Sequence, residues 1–393
     1  MKILLSNKFY YRRGGDCIYT LNLEQLLRSK GHEVAVYAMQ YKDNEHSEWR
    51  KYFPSEVSFH PGISMIEDLR RPLGTREVIN TFSELLENFN PDVVHLNNIH
   101  SQLSPIIGEI AHKKNIRVVW TLHDYKLLCP RYDCLRNETD ICEECFIDKT
   151  NVIKHRCMKC SMLASALSYM EARKWNRERL ESNTDMFICP SAFMAQKMEQ
   201  GGFLSDKIIH IPNFIDIKKC QPIFFEKKDY YCYIGRLSHE KGIKTLISAA
   251  LLLNKNLIII GDGPLRSELE RQCNNADNIK FVGKKDWEDI KNLVGNARFV
   301  VAPSEWYENN PLSVIESLCL GTPVLGANIG GIPELIESGI NGMIFESRDV
   351  AGLKNKIEEM FSANFNYQQI AQSAQEKYDA EKYYDALMNI YKK

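Results

Sequence analysis

Residues 299–334 read FVVAPSEWYENNPLSVIESLCLGTPVLGANIGGIPE and predict a strand, a loop, a helix and a second strand. The apolar runs at 299–302 and 324–327 are short enough for buried strands. The helix is expected to begin near Pro311, because proline at a first helical turn gives up an amide that would be unpaired anyway. Short apolar strands that alternate with helices indicate a parallel sheet covered on both faces.

The same alternation extends over most of the chain. Further strands are predicted at 230–234, 257–260, 279–282 and 342–345, and in the first half at 2–6, 32–38, 92–96 and 117–122. Helices are expected at 17–30, 162–180 and 368–393. The predicted fold class is therefore α/β, with two doubly wound Rossmann-like domains that face each other across a cleft.

A chain of 393 residues is long enough for two domains. We expect an N-terminal domain over 1–215, with a Cys-rich insertion at about 129–160, and a second domain over 216–375. Pro212, Asn213 and Pro222 interrupt the periodicity near this boundary. The segment 376–393 is expected to cross back to the first domain, the alternative being a helix that ends the second.

Composition narrows the classes of protein and partner. Hydrophobic residues make up 44% and charged residues 26%, values typical of a globular protein, and the net charge is −1. Such a balance favours no nucleic-acid partner. No apolar run approaches the ~20 residues that span a bilayer, and the N-terminus lacks a signal-peptide core. We expect a cytoplasmic location and cysteines that are reduced or metal-bound.

Two acids, Glu308 and Glu316, have seven residues between them. Glu308 is expected in the loop after a strand, and Glu316 inside the helix that begins near Pro311. The free amides and the dipole at such a helix start favour an anion. The acids could then bind hydroxyl groups on either side of it, which is the layout of a sugar, a diphosphate and a ribose.

Two other loops after predicted strands carry candidate ligand-binding residues. Arg236 and Lys241, in YIGRLSHEKG, suit a diphosphate, the alternative being solvated surface cations. Gly261 and Gly263, in GDGP, lack the third glycine of a dinucleotide fingerprint, since Arg266 stands there. This loop is expected either to cover a nucleotide base or to be a structural turn.

The first half offers fewer candidates. Gly14 and Gly15 follow the first predicted strand, where backbone amides could approach a phosphate. His123 and Asp124 follow another strand and are expected to face the same cleft. The alternative for His123 is a structural role.

Together, the motifs GRLSHEKG, GDGP, ENNPLSVIESLCLGTPV, GGIPE and IPNFID resemble the family 4 retaining glycosyltransferases of the GT-B fold. The resemblance covers nearly the whole chain and is strongest from 211 to 345. It implies a nucleoside diphosphate sugar as donor, commonly a UDP- or GDP-sugar, and no metal required for catalysis.

The resemblance also implies roles for single residues. Arg236 and Lys241 would hold the diphosphate and stabilise the leaving group, while Glu308 would contact sugar hydroxyls and His123 would face the donor sugar. The remaining donor-binding positions implied in this way are Gly15, Gly263, Asn310, Leu312 and Glu316. Many relatives carry Gly-Phe or Gly-Met where this chain has Asn309-Asn310, which leaves the donor sugar open.

The implied activity is transfer of a sugar to a hydroxyl of a glycan or lipid-linked acceptor, in surface polysaccharide or glycolipid synthesis at the inner membrane surface. Two alternatives on the same scaffold are a nucleotide-sugar epimerase and a nucleotide-sugar-binding protein without transfer. Arg173, Lys174, Arg177 and Arg179 fall in the helix predicted at 162–180. They indicate either peripheral contact with an anionic membrane or a solvated helix face.

Six cysteines lie within 32 residues: Cys129, Cys134, Cys142, Cys145, Cys157 and Cys160. Cys142 and Cys145, and likewise Cys157 and Cys160, have the spacing of zinc-knuckle ligands. We expect these four to bind a structural zinc ion, with Cys129 able to replace one of them. The alternatives are free thiols, an iron–sulfur cluster or a disulfide.

Overall fold

The computed structural model describes residues 1–57, 69–222 and 227–392. These residues form two compact units. The first unit comprises Met1–Asn137, Cys142–Pro212 and the chain from Tyr383 on, and the second comprises Glu138–Ile141 and Asn213–Lys382. Lys393, the last residue of the predicted C-terminal segment, lies outside the described residues.

The first unit contains a six-stranded parallel sheet with the strand order β2-β1-β3-β4-β7-β8. Its strands are β1 (Lys2–Ser6), β2 (Glu33–Tyr37), β3 (Val93–Leu96), β4 (Arg117–Thr121), β7 (Met186–Cys189) and β8 (Ile208–His210). The two-residue strands β5 (Leu135–Arg136) and β6 (Asp140–Ile141) form a separate small sheet. The helices are α1 (Gly15–Ser29), α2 (Arg76–Phe89), α3 (Ile106–Lys113), α4 (Asn151–Lys154), α5 (Met162–Lys174), α6 (Arg177–Ser182) and α7 (Ala192–Gln200).

Helix α2 shows how the sequence determines an element of this unit. It buries one face at the spacing of a helix, formed by Val78, Phe82, Leu85, Leu86 and Phe89. Asn90 ends it in the left-handed region at φ 51°, where its amide donates to the Leu86 carbonyl at 2.8 Å.

The second unit contains a six-stranded parallel sheet with the order β11-β10-β9-β12-β13-β14. Its strands are β9 (Tyr230–Ile234), β10 (Asn256–Ile260), β11 (Ile279–Gly283), β12 (Val300–Ala302), β13 (Val324–Ala327) and β14 (Gly342–Phe345). Its helices are α8 (Ile243–Ala250), α9 (Arg266–Gln272), α10 (Trp287–Gly295), α11 (Leu312–Cys319), α12 (Val350–Ser362) and α13 (Tyr367–Lys377), and α14 (Ala380–Tyr391) begins here.

Each large sheet has a point where the strand order reverses. In the first unit β1 lies between β2 and β3, and in the second unit β9 lies between β10 and β12. Ligands of doubly wound sheets bind beyond the carboxyl ends of the strands at such points. Ligand-binding residues are therefore expected in the loops that follow β1 and β9.

The predicted fold class is confirmed, since both large sheets are parallel and connected through helices. The ten predicted strands all occur, with ends that differ by at most two residues. Strands β7 and β8 were not predicted. The three residues of β8 are partly buried or exposed and give only a weak apolar run, whereas β7 is mostly buried and as long as several strands that were predicted.

Two predicted helices are each divided in two. Between α5 and α6, the Asn176 side chain accepts the Arg179 amide at 3.0 Å and so begins a new helix. Between α13 and α14, the Asp379 carboxylate accepts the Glu381 amide at 2.7 Å. Both breaks follow from a side chain that caps a helix start.

The C-terminal helix α14 joins the first unit from Tyr383 on. In that unit the hydroxyl groups of Tyr383 and Tyr19 are hydrogen-bonded, and Tyr391 Oη lies 2.5 Å from His95 Nδ1. Arg117 Nε donates to the Ile390 carbonyl at 2.7 Å. Buried polar contacts therefore hold the end of the chain to the first sheet.

Candidate functional site

In the second unit, the loops after β9 and β12 pack backbone against backbone. Gly242 has a φ of 65°, and a Cβ atom there would lie 1.8 Å from the Pro303 carbonyl oxygen. The Glu305 amide donates to the Glu240 carbonyl at 2.9 Å. Only glycine permits this approach, which places Lys241 beside the loop that carries Glu308.

Lys241 and Glu308 form an ion pair, with Nζ 2.6 Å from Oε1. Ser304 Oγ donates to the same oxygen at 2.7 Å. Burial alone raises the pKa of Glu308, but the Lys241 ammonium and the hydrogen bonds from Lys241 and Ser304 outweigh it, so the pKa is lowered. The Lys241 side chain is 27% exposed and that of Glu308 10%. The carboxylate thus fixes a cation that solvent can still reach.

The Gly330-Gly331 pair holds the backbone of Glu308. The Gly331 amide donates to the Glu308 carbonyl at 2.7 Å. A Cβ atom on Gly330, whose φ is 61°, would lie 2.4 Å from that carbonyl oxygen. The glycine pair of the motif GGIPE therefore acts as a backbone turn, and the residues after the pair form the short 3-10 helix Ile332–Leu335.

Helix α11 begins directly after Pro311, as the sequence predicts. Asn310 is buried, and its side-chain Oδ1 accepts the Asn213 amide at 2.9 Å. Asn213 Nδ2 in turn donates to the Asn310 carbonyl at 2.9 Å. The Asn310 side-chain oxygen is thus used inside the protein, whereas the first amides of α11 have no acceptor within the helix.

Glu316 lies about one turn further along α11 and is only partly exposed. Burial raises its pKa to about 7 from an ordinary value of 4.5. The two acids of the predicted pair therefore differ in charge near neutral pH, with Glu308 ionised and Glu316 partly protonated.

Arg236 lies in the same loop as Lys241, after β9, and Gly263 lies in the loop after β10. Arg236 follows β9 and is exposed, while its carbonyl accepts the Tyr233 hydroxyl at 2.8 Å. A Cβ atom on Gly263 would lie 2.4 Å from the Leu237 carbonyl oxygen, so the GDGP loop packs directly on the loop that carries Arg236. Gly263 thus has a structural reason to be glycine.

In the first unit, His123 follows β4 and is partly buried. Its Nε2 lies 3.0 Å from Asn97 Oδ1 and donates to it, and its ring lies 4.8 Å from that of Tyr19. Burial lowers the pKa of His123 to about 4, against a smaller opposing effect of Asp16. The imidazole is therefore neutral at physiological pH.

The other two candidates of the first unit, Gly15 and Asp124, differ in their surroundings. Gly15 is the exposed first residue of α1, and a Cβ atom there would meet nothing within 4 Å. Asp124 is used internally, since its Oδ1 accepts the Lys126 amide at 3.0 Å and lies 3.7 Å from His100 Nε2. Burial raises the pKa of Asp124 to about 6.

Sequence reasoning missed several residues that position the candidates. They are Tyr19 and Asn97 around His123, Ser304 beside Glu308, and Asn213 against Asn310. Asn97 directly follows β3, and Ser304 follows β12 after one proline, which is a signal that could have indicated them. Asn213 stands in the quoted motif IPNFID, but its partner is 97 residues away.

The cysteines of the Cys-rich insertion lie in different surroundings from those expected. Cys129, Cys134, Cys145 and Cys157 are buried. Cys142 is only partly buried and Cys160 is exposed. Within the described ranges, no three or more His, Cys, Asp or Glu side chains are already arranged to hold a metal ion. No helix in those ranges has both the length and the apolar character to cross a bilayer.

Comparison with known proteins gives relatives along the whole chain. Over 369 residues it is 22% identical to an uncharacterised glycosyltransferase of Methanocaldococcus jannaschii, a match that covers 92% of this chain and 89% of that protein. The solved structure of sucrose-phosphate synthase from Thermosynechococcus elongatus has a TM-score of 0.74 at 19% identity, over 100% of this chain and 98% of that one. Anabaena HepE, solved in complex with UDP, has a TM-score of 0.70 at 18% identity, over 99% of each chain.

Two family descriptions match the sequence. "Glycosyltransferase Family 4" matches residues 13–219, which is more than half of the chain, and "Glycosyl transferases group 1" matches residues 215–377. The solved structures agree with the fold of two parallel-sheet domains. The chain therefore belongs to the family 4 glycosyltransferases and has the GT-B fold.

Proposed function

We propose that this protein is a retaining glycosyltransferase that moves a hexosyl group from a nucleoside diphosphate sugar to an acceptor hydroxyl. The observation that carries the proposal is the Lys241–Glu308 ion pair beside the start of α11, with Glu316 further along the same helix. Retention of configuration follows from the resemblance to the family.

Lys241 and Arg236 would stabilise the leaving group. A departing nucleoside diphosphate develops negative charge, which fixed cations and helix amides stabilise without proton transfer. Glu308 holds the Lys241 ammonium in place before the donor arrives. The site therefore needs little rearrangement, and no metal is required for this step.

The remaining donor contacts follow the layout of α11. The backbone amides of Asn310 and Leu312 would bind the sugar, together with Glu308. Glu316 would bind the ribose hydroxyls, and its raised pKa allows the carboxyl group both to donate and to accept hydrogen bonds. Gly263, in the loop packed on that of Arg236, would lie beside the base.

In the first unit we assign donor contacts to two residues. The open space around Gly15 lets backbone amides at the start of α1 approach a phosphate. His123 is neutral, and because its Nε2 donates to Asn97, its Nδ1 is left to accept a hydrogen bond from a sugar hydroxyl. His123 would act by orienting the sugar rather than as a charged acid.

The acceptor we propose is a glycan or lipid-linked saccharide, in surface polysaccharide or glycolipid synthesis on the cytoplasmic side of the membrane. Met162 and Leu163 on α5 are 50% and 70% exposed and suit shallow contact with a membrane. Some of the four basic residues between 173 and 179 have partners within the protein. Arg179 is paired with Glu109 at 2.7 Å, and Lys174 donates to the Leu73 carbonyl.

A donor panel tests the proposal. Purified protein is incubated with UDP- and GDP-sugars and candidate acceptors, products are identified by mass spectrometry, and the anomeric configuration is determined by NMR. Transfer with retained configuration is expected, and HepE, solved with UDP, makes UDP-sugars the first choice. An epimerised donor, or binding without turnover, would replace this function with one of the two alternatives.

A further inference from the structure

We propose that Trp306 is a positioning residue for Lys241 and holds its ammonium group through a cation–π contact. Lys241 Nζ lies over the Trp306 ring, 5.0 Å from the ring centre, which is within the range of such contacts. The inference rests on the proposed function, in which Lys241 binds the donor diphosphate. It gives Lys241 an uncharged partner in addition to its charged partner, Glu308.

An uncharged partner suits a cation that has to attract an anion. Glu308 already offsets the charge of Lys241 at a distance of 2.6 Å. A second carboxylate in the place of the ring would leave the group with a net negative charge, which would repel a diphosphate. The face of an aromatic ring attracts a cation through its quadrupole and adds no net charge. Trp306 therefore fixes Lys241 without weakening its attraction for phosphate.

The loop that carries Trp306 is itself fixed by its neighbours. On one side, Thr245 Oγ1 donates to Glu305 Oε1 at 2.6 Å, and the Glu305 amide donates to the Glu240 carbonyl at 2.9 Å. On the other side, the Glu308 amide donates to the Trp306 carbonyl at 2.9 Å. The backbone of Trp306 is thus held on both sides, so the position of its ring is largely set before a ligand arrives.

The ring, and not the N–H group, explains the tryptophan at this position. The indole Nε1 of Trp306 is buried, yet it has no hydrogen-bond partner among the residues that the structure describes. A buried donor without a partner costs free energy. Tryptophan offers the strongest ring face for a cation. A phenylalanine would keep a ring face and remove the unpaired donor, which makes it the conservative variant.

The two contacts of Lys241 together prepare it for the diphosphate. Its side chain is 27% exposed, so solvent reaches the ammonium group. A free lysine side chain loses much rotamer freedom when it binds a ligand. Because Glu308 and Trp306 restrict Lys241 beforehand, less of that entropy is lost when the donor binds. Loss of the ring should therefore weaken binding of the diphosphate through Lys241.

A double-mutant cycle tests the inference by calorimetric titration with UDP or GDP, whichever wild type binds. Trp306→Leu should weaken binding about 3- to 10-fold in the otherwise wild-type protein. In a Lys241→Ala background the same change should alter the affinity by less than about 2-fold, because the cation that the ring holds is absent. Trp306→Phe should weaken binding less than Trp306→Leu does, because it keeps a ring face.

A change that preserves the shape of the ring covers the case in which Trp306→Leu does not fold. Fluorine withdraws electron density from an aromatic ring, so wild type produced with fluorotryptophan should bind the nucleotide about 2-fold more weakly than unlabelled wild type. The chain has five tryptophans, so labelled Trp306→Phe is the matched control for the other four. It should bind the nucleotide as its unlabelled form does.

The outcomes separate this inference from the proposed function. Equal weakening by Trp306→Leu in both backgrounds would show that the ring does not act through Lys241. Unchanged binding in Trp306→Leu or in labelled wild type would show that the ring contact contributes nothing. Either result would overturn the inference alone. Wild-type affinity in Lys241→Ala would overturn the proposed function, and this inference with it.

Discussion

At the scale of the residue, Glu308 and Glu316 show how environment differentiates two identical side chains. Glu308 has an ammonium at 2.6 Å and a serine hydroxyl at 2.7 Å, which keep it ionised in spite of burial. Burial raises the pKa of Glu316 to about 7. The sequence predicts both positions from their spacing around Pro311. It does not predict their charge, which depends on partners brought in by other loops.

The raised pKa of Glu316 predicts a pH-dependent gain in stability for Glu316→Gln. The unfolded chain releases this proton near pH 4.5 and the folded chain near pH 7, so wild type loses stability as the pH rises between these values. With partial exposure taken into account, the loss is about 1–3 kcal/mol. Glu316→Gln has no proton to release at this position, so its free energy of unfolding should exceed that of wild type above pH 7.

Denaturant titrations at pH 5 and pH 8 measure this difference. The free energy of unfolding of Glu316→Gln should exceed that of wild type by more at pH 8 than at pH 5. Glu199→Gln, an exposed change on α7, serves as the control and should show no such dependence. An equal difference at both pH values would mean that Glu316 titrates normally in the folded protein.

At the scale of the element, the glycines of the loops have two different reasons for being glycine. Gly242, Gly263 and Gly330 are required because a neighbouring backbone occupies the space of a Cβ atom. Gly15 has open space around it. The sequence shows glycines after strands in all these loops, but it cannot separate the two cases. Distant backbone segments decide them, such as Pro303 against Gly242.

This distinction predicts opposite effects for two glycine-to-alanine changes. Gly15→Ala should leave the melting temperature unchanged or raise it, since alanine is favoured over glycine in a helix. It should nevertheless lower kcat/KM for the donor by about 10-fold, equivalent to about 1.4 kcal/mol, because the methyl group occupies the approach to the phosphate.

Gly242→Ala serves as the structural counterpart. Its Cβ atom would lie 1.8 Å from the Pro303 carbonyl oxygen at a φ of 65°, so it should cost more than about 1 kcal/mol of stability. Thermal melts and donor kinetics on both variants provide the comparison. A Gly15→Ala enzyme with wild-type kinetics would exclude Gly15 from the donor site.

The sequence predicts strands correctly where it has compact apolar runs. Of the four strands around the switch point of the second sheet, β9, β10 and β12 are mostly buried, and each of the four ends at or just before a glycine or proline. Strand β8 has three residues, none of them fully buried. Its place at a sheet edge is set by pairing with β7, and local sequence carries little of that information.

At the scale of the whole molecule, the chain builds two units of the same design, each with a parallel sheet that reverses its strand order beside its first strand. The chain end from Tyr383 on completes the first unit, although α14 begins in the second. Helical periodicity predicts α14. Its attachment depends on hydroxyl contacts with Tyr19 and His95, more than 290 residues away in sequence.

Helix α14 should therefore contribute strongly to the stability of the first unit. Leu387 is fully buried, so Leu387→Ala should cost about 2–5 kcal/mol. Asn389→Ala, on the exposed face of the same helix, should change stability by less than about 0.5 kcal/mol. Denaturant unfolding compares the two, and equal stability of both variants would show that α14 is dispensable for the fold.

In the proposed function, the second unit holds the diphosphate of a nucleotide donor on Lys241, the cation paired with Glu308. Calorimetric titration with UDP and GDP tests it on wild type, Lys241→Ala and Lys244→Ala. Lys244 is a matched control, because it lies three residues further on and pairs with the surface residue Glu268. Lys241→Ala should bind at least about 10-fold more weakly than wild type, and Lys244→Ala should bind equally well. Wild-type affinity in Lys241→Ala, or no binding of either nucleotide to wild type, would contradict the account.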